Sequence, residues 1–205
     1  MSQAEFDVET WRSEIEQYRG EKDDYFAEHP QSPLPREERE GFDGLAYFDP
    51  DPAYRVEAEV ELVDEDDTIT METTADTEVE YERVARLHFE LDGEEYSLVA
   101  YQQADGQGAS LFVPFRDKTT GQQTYGAGRY MEFEVGEARS ASENASGERS
   151  DPRAEGSIED VETVTLDFNL AYHPFCAYNE AFACPLPPQE NWLETVVEAG
   201  EKLPN

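Results

Sequence analysis

The residues best suited to soft-metal or thiol chemistry are the two cysteines, and both lie in HPFCAYNEAFACPLPPQEN, His173 to Asn191. His173 precedes Cys176 by three residues, and seven residues separate Cys176 from Cys184. Structural zinc takes four ligands in closely spaced pairs; this segment offers one such pair at most, so no metal is expected. A nucleophilic Cys176 would need a base in reach and a lowered pKa, whereas acidic surroundings favour the neutral thiol. A Cys176–Cys184 disulfide fits the loop, although a reducing compartment disfavours it, and that pairing stays open. The leading reading is a pair of small buried thiols anchored by Cys184-Pro185-Leu186-Pro187-Pro188, a stiff cover over a barrel end or an open edge.

A second group is RDKTTGQQTYGAGRY, Arg116 to Tyr130. Arg116 and Arg129 flank the hydroxyls of Thr119, Thr120 and Thr124; the leading reading is a plain hairpin turn, the other a grouping suited to a carboxylate or phosphate. The P-loop pattern GxxxxGK[ST] is absent, and no cofactor is implied. Arg129 shares parity with Met131, Phe133 and Val135, so it either points inward, where it must be paired, or snorkels to the barrel rim with no ligand role. Asp117, Asp167, Glu190 and Glu201 are the acids near strand ends. Asp167 and Asn169 lie opposite Leu166 and Phe168, on a face that is solvent in a sandwich and a ligand cavity in a small barrel.

Positioning these groups requires a β framework. Tyr54, Val56, Ala58, Val60 and Leu62 alternate with Arg55, Glu57, Glu59 and Glu61, a half-buried strand. Ala85, Leu87, Phe89 and Leu91 form another, and Asp92-Gly93 predicts a hairpin into Tyr96, Leu98 and Ala100. SLFVPF carries Pro114 near its end, which predicts an edge strand or a bulge. Met131, Phe133 and Val135 form a further set, and Val164, Leu166, Phe168 and Leu170 the last. The expectation is an all-β fold, an antiparallel barrel or sandwich, with an N-terminal helical appendage.

Three parts follow: a helical segment over 1–29, a proline-rich strap over 30–41, and one β domain over 42–205. The first helix is expected from a Ser2/Glu5 capping box through Trp11, Ile15 and Tyr18, about four turns, with a short second piece at Tyr25 and Phe26. Residues 136–160 read as a mobile acidic loop.

The 205 residues carry 49 acidic against 15 basic side chains, a formal charge of −34, with three lysines among the cations. Self-repulsion on this scale destabilises a compact chain at physiological salt and is screened in molar salt, where the Debye length is about 3 Å. That points to an acidic surface adapted to a salt-rich, halophilic archaeal cytoplasm. No basic face could neutralise phosphates, so nucleic acid is not an expected partner, nor is an anionic membrane. No apolar run is long enough to span a bilayer and no signal segment is visible, so the expected location is the cytoplasm. The oligomeric state is left open.

LFVPFRDKTTGQQTYGAGRYM, LDFNLAYHPFCAYNEAFACPLPPQENWLETVVEAGEK and FDGLAYFDPDPAYRVEAEVE together resemble a bacterial and archaeal family, domain of unknown function sixteen eighty-four. The resemblance carries no established activity. It covers Arg116, Asp117, Thr119, Gly121, Tyr125, Arg129, Asp167, Asn169, Cys176, Tyr178, Cys184, Glu190 and Asn191, and implies that these are template positions. At His173 the family commonly has asparagine, which weighs against a mechanism built on that imidazole. The function expected is binding of a small polar or anionic ligand at a barrel mouth, with Arg116 and Arg129 holding the ligand and Tyr125 and Tyr178 as walls. Asp117, Thr119, Asp167, Asn169, Glu190 and Asn191 complete the candidate set. The alternative is a hydrolase or group-transfer enzyme with Asp167 or Glu190 as general base and Arg129 stabilising negative charge; the third reading is a structural or interaction module.

Overall fold

The structure, a computed structural model, describes residues 6–64, 67–103, 110–134, 139–140, 158 and 161–204. Helix α1 spans Val8–Glu28, and Asp7 caps it by accepting hydrogen bonds from the backbone N–H of Glu9 (3.0 Å) and Thr10 (3.4 Å). Ser2 and Glu5 lie outside the described residues. The helix does not stop after four turns. It runs through Gly20 to include Tyr25 and Phe26, because Phe26 is buried against Phe42, Phe175 and Tyr178 and tertiary packing outweighs one helical glycine. Trp11, Ile15 and Phe26 face inward, while Tyr18 sits 40% exposed at the margin of that stripe. Within the strap that follows, α2 (Arg36–Arg39) closes a turn. The Arg39 guanidinium donates to the carbonyls of His29, Ser32 and Leu34 at 2.9, 3.2 and 2.9 Å.

Eight antiparallel strands form one sheet: β1 (Arg55–Leu62), β2 (Thr68–Glu72), β3 (Glu78–Leu91), β4 (Glu94–Gln103), β5 (Ser110–Phe115), β6 (Arg129–Glu134), β7 (Arg139–Ser140) and β8 (Val161–Asp167). The order is β6-β5-β4-β3-β1-β8-β7, and the sheet curls into a half-barrel, in keeping with the expected antiparallel all-β fold and its N-terminal helix. One side of β3 serves two partners: β2 along Glu78–Glu82 and β1 along Ala85–Phe89. Asp92 (φ 53°) and Gly93 (φ 81°) form the expected β3–β4 hairpin, both in the left-handed region that a two-residue turn demands.

The core lies on one sheet face, where Ala58, Leu87, Leu98, Val113, Phe115 and Leu166 meet Phe168 and the C-terminal Val197 and Ala199. Between Arg83 and Ala85 the pairing with β4 slips, so Val84 is an extra residue. This bulge turns Tyr81 and Arg83 to the face opposite Leu87, beside Tyr101.

Two strand expectations change. Strand β5 is not an edge, since it lies between β4 and β6, but it pairs with β4 only at Tyr101 and Phe112. Beyond that point the strands part, and Pro114, which has no N–H, faces the gap. Strand β8 ends at Asp167, and Phe168–Leu170 form a 3₁₀ turn because the Asp167 carboxylate accepts the Asn169 N–H at 3.0 Å. The expected acidic loop over 136–160 lies largely outside the described residues; within it, β7 pairs with β8 and Ile158 joins the core.

Candidate functional site

The 116–129 link and the C-terminal tail form one buried polar closure. Arg129 is fully enclosed and stacks on Phe115. Its guanidinium donates to Asp117 (3.3 Å) and to the carbonyls of Val197 (2.8 Å), Ala199 and Glu201 (3.3 Å), and its Nε–H has no partner. Burial pushes the Arg129 pKa down and the Asp117 charge opposes that shift. Asp117 also accepts from Thr119 N (3.1 Å), Thr119 Oγ1 (2.8 Å) and Val197 N (2.8 Å). Arg116 turns outward instead, donating to the Gly126 carbonyl with its guanidinium over Trp192. Gly128, at φ +101°, permits the packing, since a Cβ there would stand 2.7 Å from the Phe115 carbonyl oxygen.

Asp167 and Asn169 anchor the first helix and the 46–54 segment. The Trp11 indole N–H donates to Asp167 at 2.6 Å, with the Arg55 Nε 3.8 Å away. The Asn169 amide exchanges hydrogen bonds with the Asp51 backbone N–H and carbonyl, both at 2.9 Å. A recess of about 490 Å³ opens beside Asp167, Trp11 and Arg55. Glu201, also fully buried, pairs with Lys22 of α1 and accepts from His173 N (2.7 Å) and Tyr178 OH (2.8 Å). The His173 Nε2 accepts the Tyr125 N–H at 3.2 Å, and burial holds this imidazole neutral, its pKa down at about 3. Among the described residues, no cluster of three or more His, Cys, Asp or Glu side chains could hold a metal.

Glu190 and Asn191 fasten the proline-rich segment to the sheet. Glu190 accepts from Arg83 Nε (2.8 Å) and Tyr101 OH (2.7 Å), with Arg86 at 3.7 Å. The Asn191 side chain enters the gap between β4 and β5. Its Oδ1 accepts the Val99 N–H at 2.7 Å, and its Nδ2 donates to the Val99 and Pro114 carbonyls at 2.9 and 2.7 Å. Asp167, Glu190 and Arg129, the three groups of the enzyme alternative, share no bonding partner.

On the sheet face opposite the core lies a cleft of about 600 Å³. The sheet supplies Tyr81, Tyr101, Phe112 and Tyr130, and the segment that carries the cysteines supplies Tyr172, Phe175 and Phe182. The rings form a continuous array: Tyr81 lies 6.5 Å from Tyr101 and 5.5 Å from Phe112, Phe112 lies 4.7 Å from Tyr130, and Tyr130 lies 5.9 Å from Tyr172. Three hydroxyls are engaged, Tyr101 on Glu190, Tyr172 on Glu132 (2.9 Å) and Tyr130 on the Pro185 carbonyl, which sets the ring orientations. Among the described residues the polar lining is Gln102, Gln103, Ser110 and Glu132, with no Lys, Arg or His. Two thiols stand at its wall. Cys184 lines the cleft and Cys176 lies behind it, both buried and reduced, with Cys184 Sγ accepting the Cys176 N–H at 3.4 Å. The Cys184 thiol beside it draws the Cys176 pKa down to about 6, and Cys184 is pushed up in turn.

None of the ten candidate ligand-binding side chains lines this cleft. Glu190 touches its wall through Tyr101, and Tyr125 packs behind it with Tyr130, Cys176 and Cys184. The cleft aromatics escaped the sequence reading, although a signal exists. Tyr101, Phe112 and Tyr130 each occupy the parity opposite the apolar series of their own strands, and three adjacent strands that all do so mark a second buried face.

No helix among the described residues is long and apolar enough to cross a membrane. No curated protein matches the chain. Among solved structures, the solution NMR structure of an uncharacterised protein of Haloarcula marismortui is 50% identical, with a TM-score of 0.67 over 96% of either chain. Residues 40–202 match the model of a family described as protein of unknown function (DUF1684), and to that family this chain belongs.

Proposed function

We propose that the protein binds a small organic ligand in the aromatic cleft, and that the ligand is neutral or cationic with a flat or alkyl portion. The observation that supports this is the lining by described residues: seven aromatic rings around about 600 Å³, one carboxylate at Glu132, and no basic side chain among them. Aromatic faces attract organic cations by about 0.5–2 kcal/mol per contact, most when water is excluded, and a few polar groups suffice to orient a ligand in an apolar site. An anionic group finds no counter-charge there and meets a chain of formal charge −34. Arg116 remains at the surface as a subsidiary anion contact, while Arg129, enclosed by Asp117 and three carbonyls, acts by holding the tail in place. The same charge, with three lysines among 15 cations, supports a working environment of molar salt, as in a halophilic archaeal cytoplasm.

The test is titration in molar potassium chloride with benzyltrimethylammonium, benzyl alcohol and phenyl phosphate, followed by backbone and aromatic chemical shifts. Saturable shifts of Tyr101, Phe112 and Tyr130 with the first two probes, and none with phenyl phosphate, are expected. Glu132→Gln should weaken the cation about 5- to 30-fold, equivalent to about 1–2 kcal/mol, and leave the alcohol unchanged. Silence of these residues towards both the cation and the alcohol would overturn the assignment.

A further inference from the structure

Cys176 and Cys184 stand eight residues apart in the chain, yet the fold brings the Cys184 sulfur within 3.4 Å of the Cys176 backbone nitrogen. Both ends of the intervening loop are pinned. Thr74, just beyond β2, donates its backbone N–H to the Cys184 carbonyl (3.0 Å) and accepts the Cys184 N–H on its Oγ1 (3.1 Å). At the other end, Tyr125 OH donates to the Cys176 carbonyl at 3.4 Å. The loop between them contributes Phe182 to the cleft, and Phe182 packs on Phe175 with centroids 5.4 Å apart. With the Cys184 sulfur against the Cys176 backbone nitrogen, at the wall of a cavity and between pinned loop ends, the pair is placed for closure to the S–S bond length of about 2.05 Å.

We propose that Cys176 and Cys184 are a reversible dithiol–disulfide couple, oxidised by a small peroxide, that locks the outer wall of the aromatic cleft. The chemistry runs in two steps. The Cys176 thiolate attacks one peroxide oxygen and the O–O bond breaks, leaving a sulfenic acid and a hydroxide that is protonated to water. The Cys184 sulfur then attacks the sulfenic sulfur: the S–S bond forms, the S–O bond breaks, and the departing hydroxide takes up the Cys184 proton as a second water. Two electrons pass from the two sulfurs to the peroxide. A small dithiol reverses the reaction by exchange and is itself oxidised to a disulfide. Cys176 is taken as the attacking sulfur and Cys184, whose sulfur already sits against the Cys176 backbone, as the resolving one, in line with the lowered Cys176 and raised Cys184 pKa. Tyr81 and Tyr130, the other titratable groups facing the pair, keep their protons because burial raises both. This inference stands without the ligand reading.

The experiment uses the full chain in molar potassium chloride, reduced, freed of reductant and exposed to a small excess of hydrogen peroxide beside a free cysteine peptide. After acid quench and alkylation, intact mass should show loss of two hydrogens and no alkyl group, restored to two alkylated thiols by dithiothreitol. Hydrogen exchange of the amides from Ala177 to Ala183 should slow about tenfold in the oxidised form, since closing the loop suppresses its opening. In Cys184→Ser the sulfenic acid should persist and be trapped by dimedone. Two alkylatable thiols remaining in the wild type after the peptide is fully oxidised would overturn the couple. Intermolecular bridges would do the same, and unchanged exchange in an oxidised chain would overturn the locking role.

Discussion

Replacing Asn191 with Ala isolates the one side chain that fills the gap between β4 and β5. The native amide makes three buried hydrogen bonds, from Val99 N and to the carbonyls of Val99 and Pro114, between 2.7 and 2.9 Å. Neither Asn191 nor Val99 is exposed to solvent, so the abandoned backbone groups have no ready replacement. Each buried group left unpaired costs about 1–3 kcal/mol, and partial entry of water brings the expected loss to about 3–6 kcal/mol. Asn191→Asp sharpens the reading. It keeps the acceptor for Val99 N and the shape, but aims a carboxylate oxygen at two carbonyls, so it should cost as much as the alanine or more. Equilibrium unfolding in guanidinium chloride, with m-values compared, measures both variants. A loss below about 1 kcal/mol with m unchanged in either one would refute the wedge role and return Asn191 to the ligand-binding candidates.

Two further substitutions probe the closure behind the cleft. Asp117→Asn leaves Arg129 buried without the one anionic partner it has among the described residues and should cost about 3–5 kcal/mol. The difference from wild type should hold across potassium chloride concentrations because neither side chain reaches solvent; a salt-dependent difference in unfolding free energy would contradict this. For His173, burial lowers the pKa from 6.5 to about 3. Below pH 6.5 the unfolded chain binds a proton that the folded chain refuses until about pH 3, so this group takes away stability progressively as pH falls through that window and has no effect above it. His173→Asn should remove that component, giving a shallower acid limb in unfolding measured at successive pH values. Parallel limbs for the two proteins would show that His173 is already charged in the fold.

Much of the framework is written in local pattern. The alternation from Val56 to Val60, the Asp92-Gly93 hairpin and the inward parity of Arg129 each follow from a two-residue period or from backbone sterics, and the structure places them accordingly, whereas Leu62 at the end of the series is 48% exposed. The extent of α1 was less legible, because its last turns depend on Phe26 meeting Phe42, Phe175 and Tyr178, contacts remote in sequence. Pro114 reads as an edge signal by itself. Its interior position works only because an amide from residue 191 supplies what the neighbouring strand withholds.

The candidate site shows the same division. Sequence alone determined that Arg129 shares the apolar parity and needs a partner if enclosed, and that the cysteine segment is stiffened by its prolines. It also determined a charge of −34, which favours cations over anions around the folded chain. Tertiary structure decided the rest. The bulge at Val84 turns Tyr81 to the face carrying Tyr101, and the parting of β4 from β5 admits Asn191. The return of the tail across 168–173 binds Glu201 to Lys22 and sets Cys184 beside an aromatic cleft. These are relations between residues tens of positions apart, fixed by which surfaces can be buried together, and a local period carries no record of them.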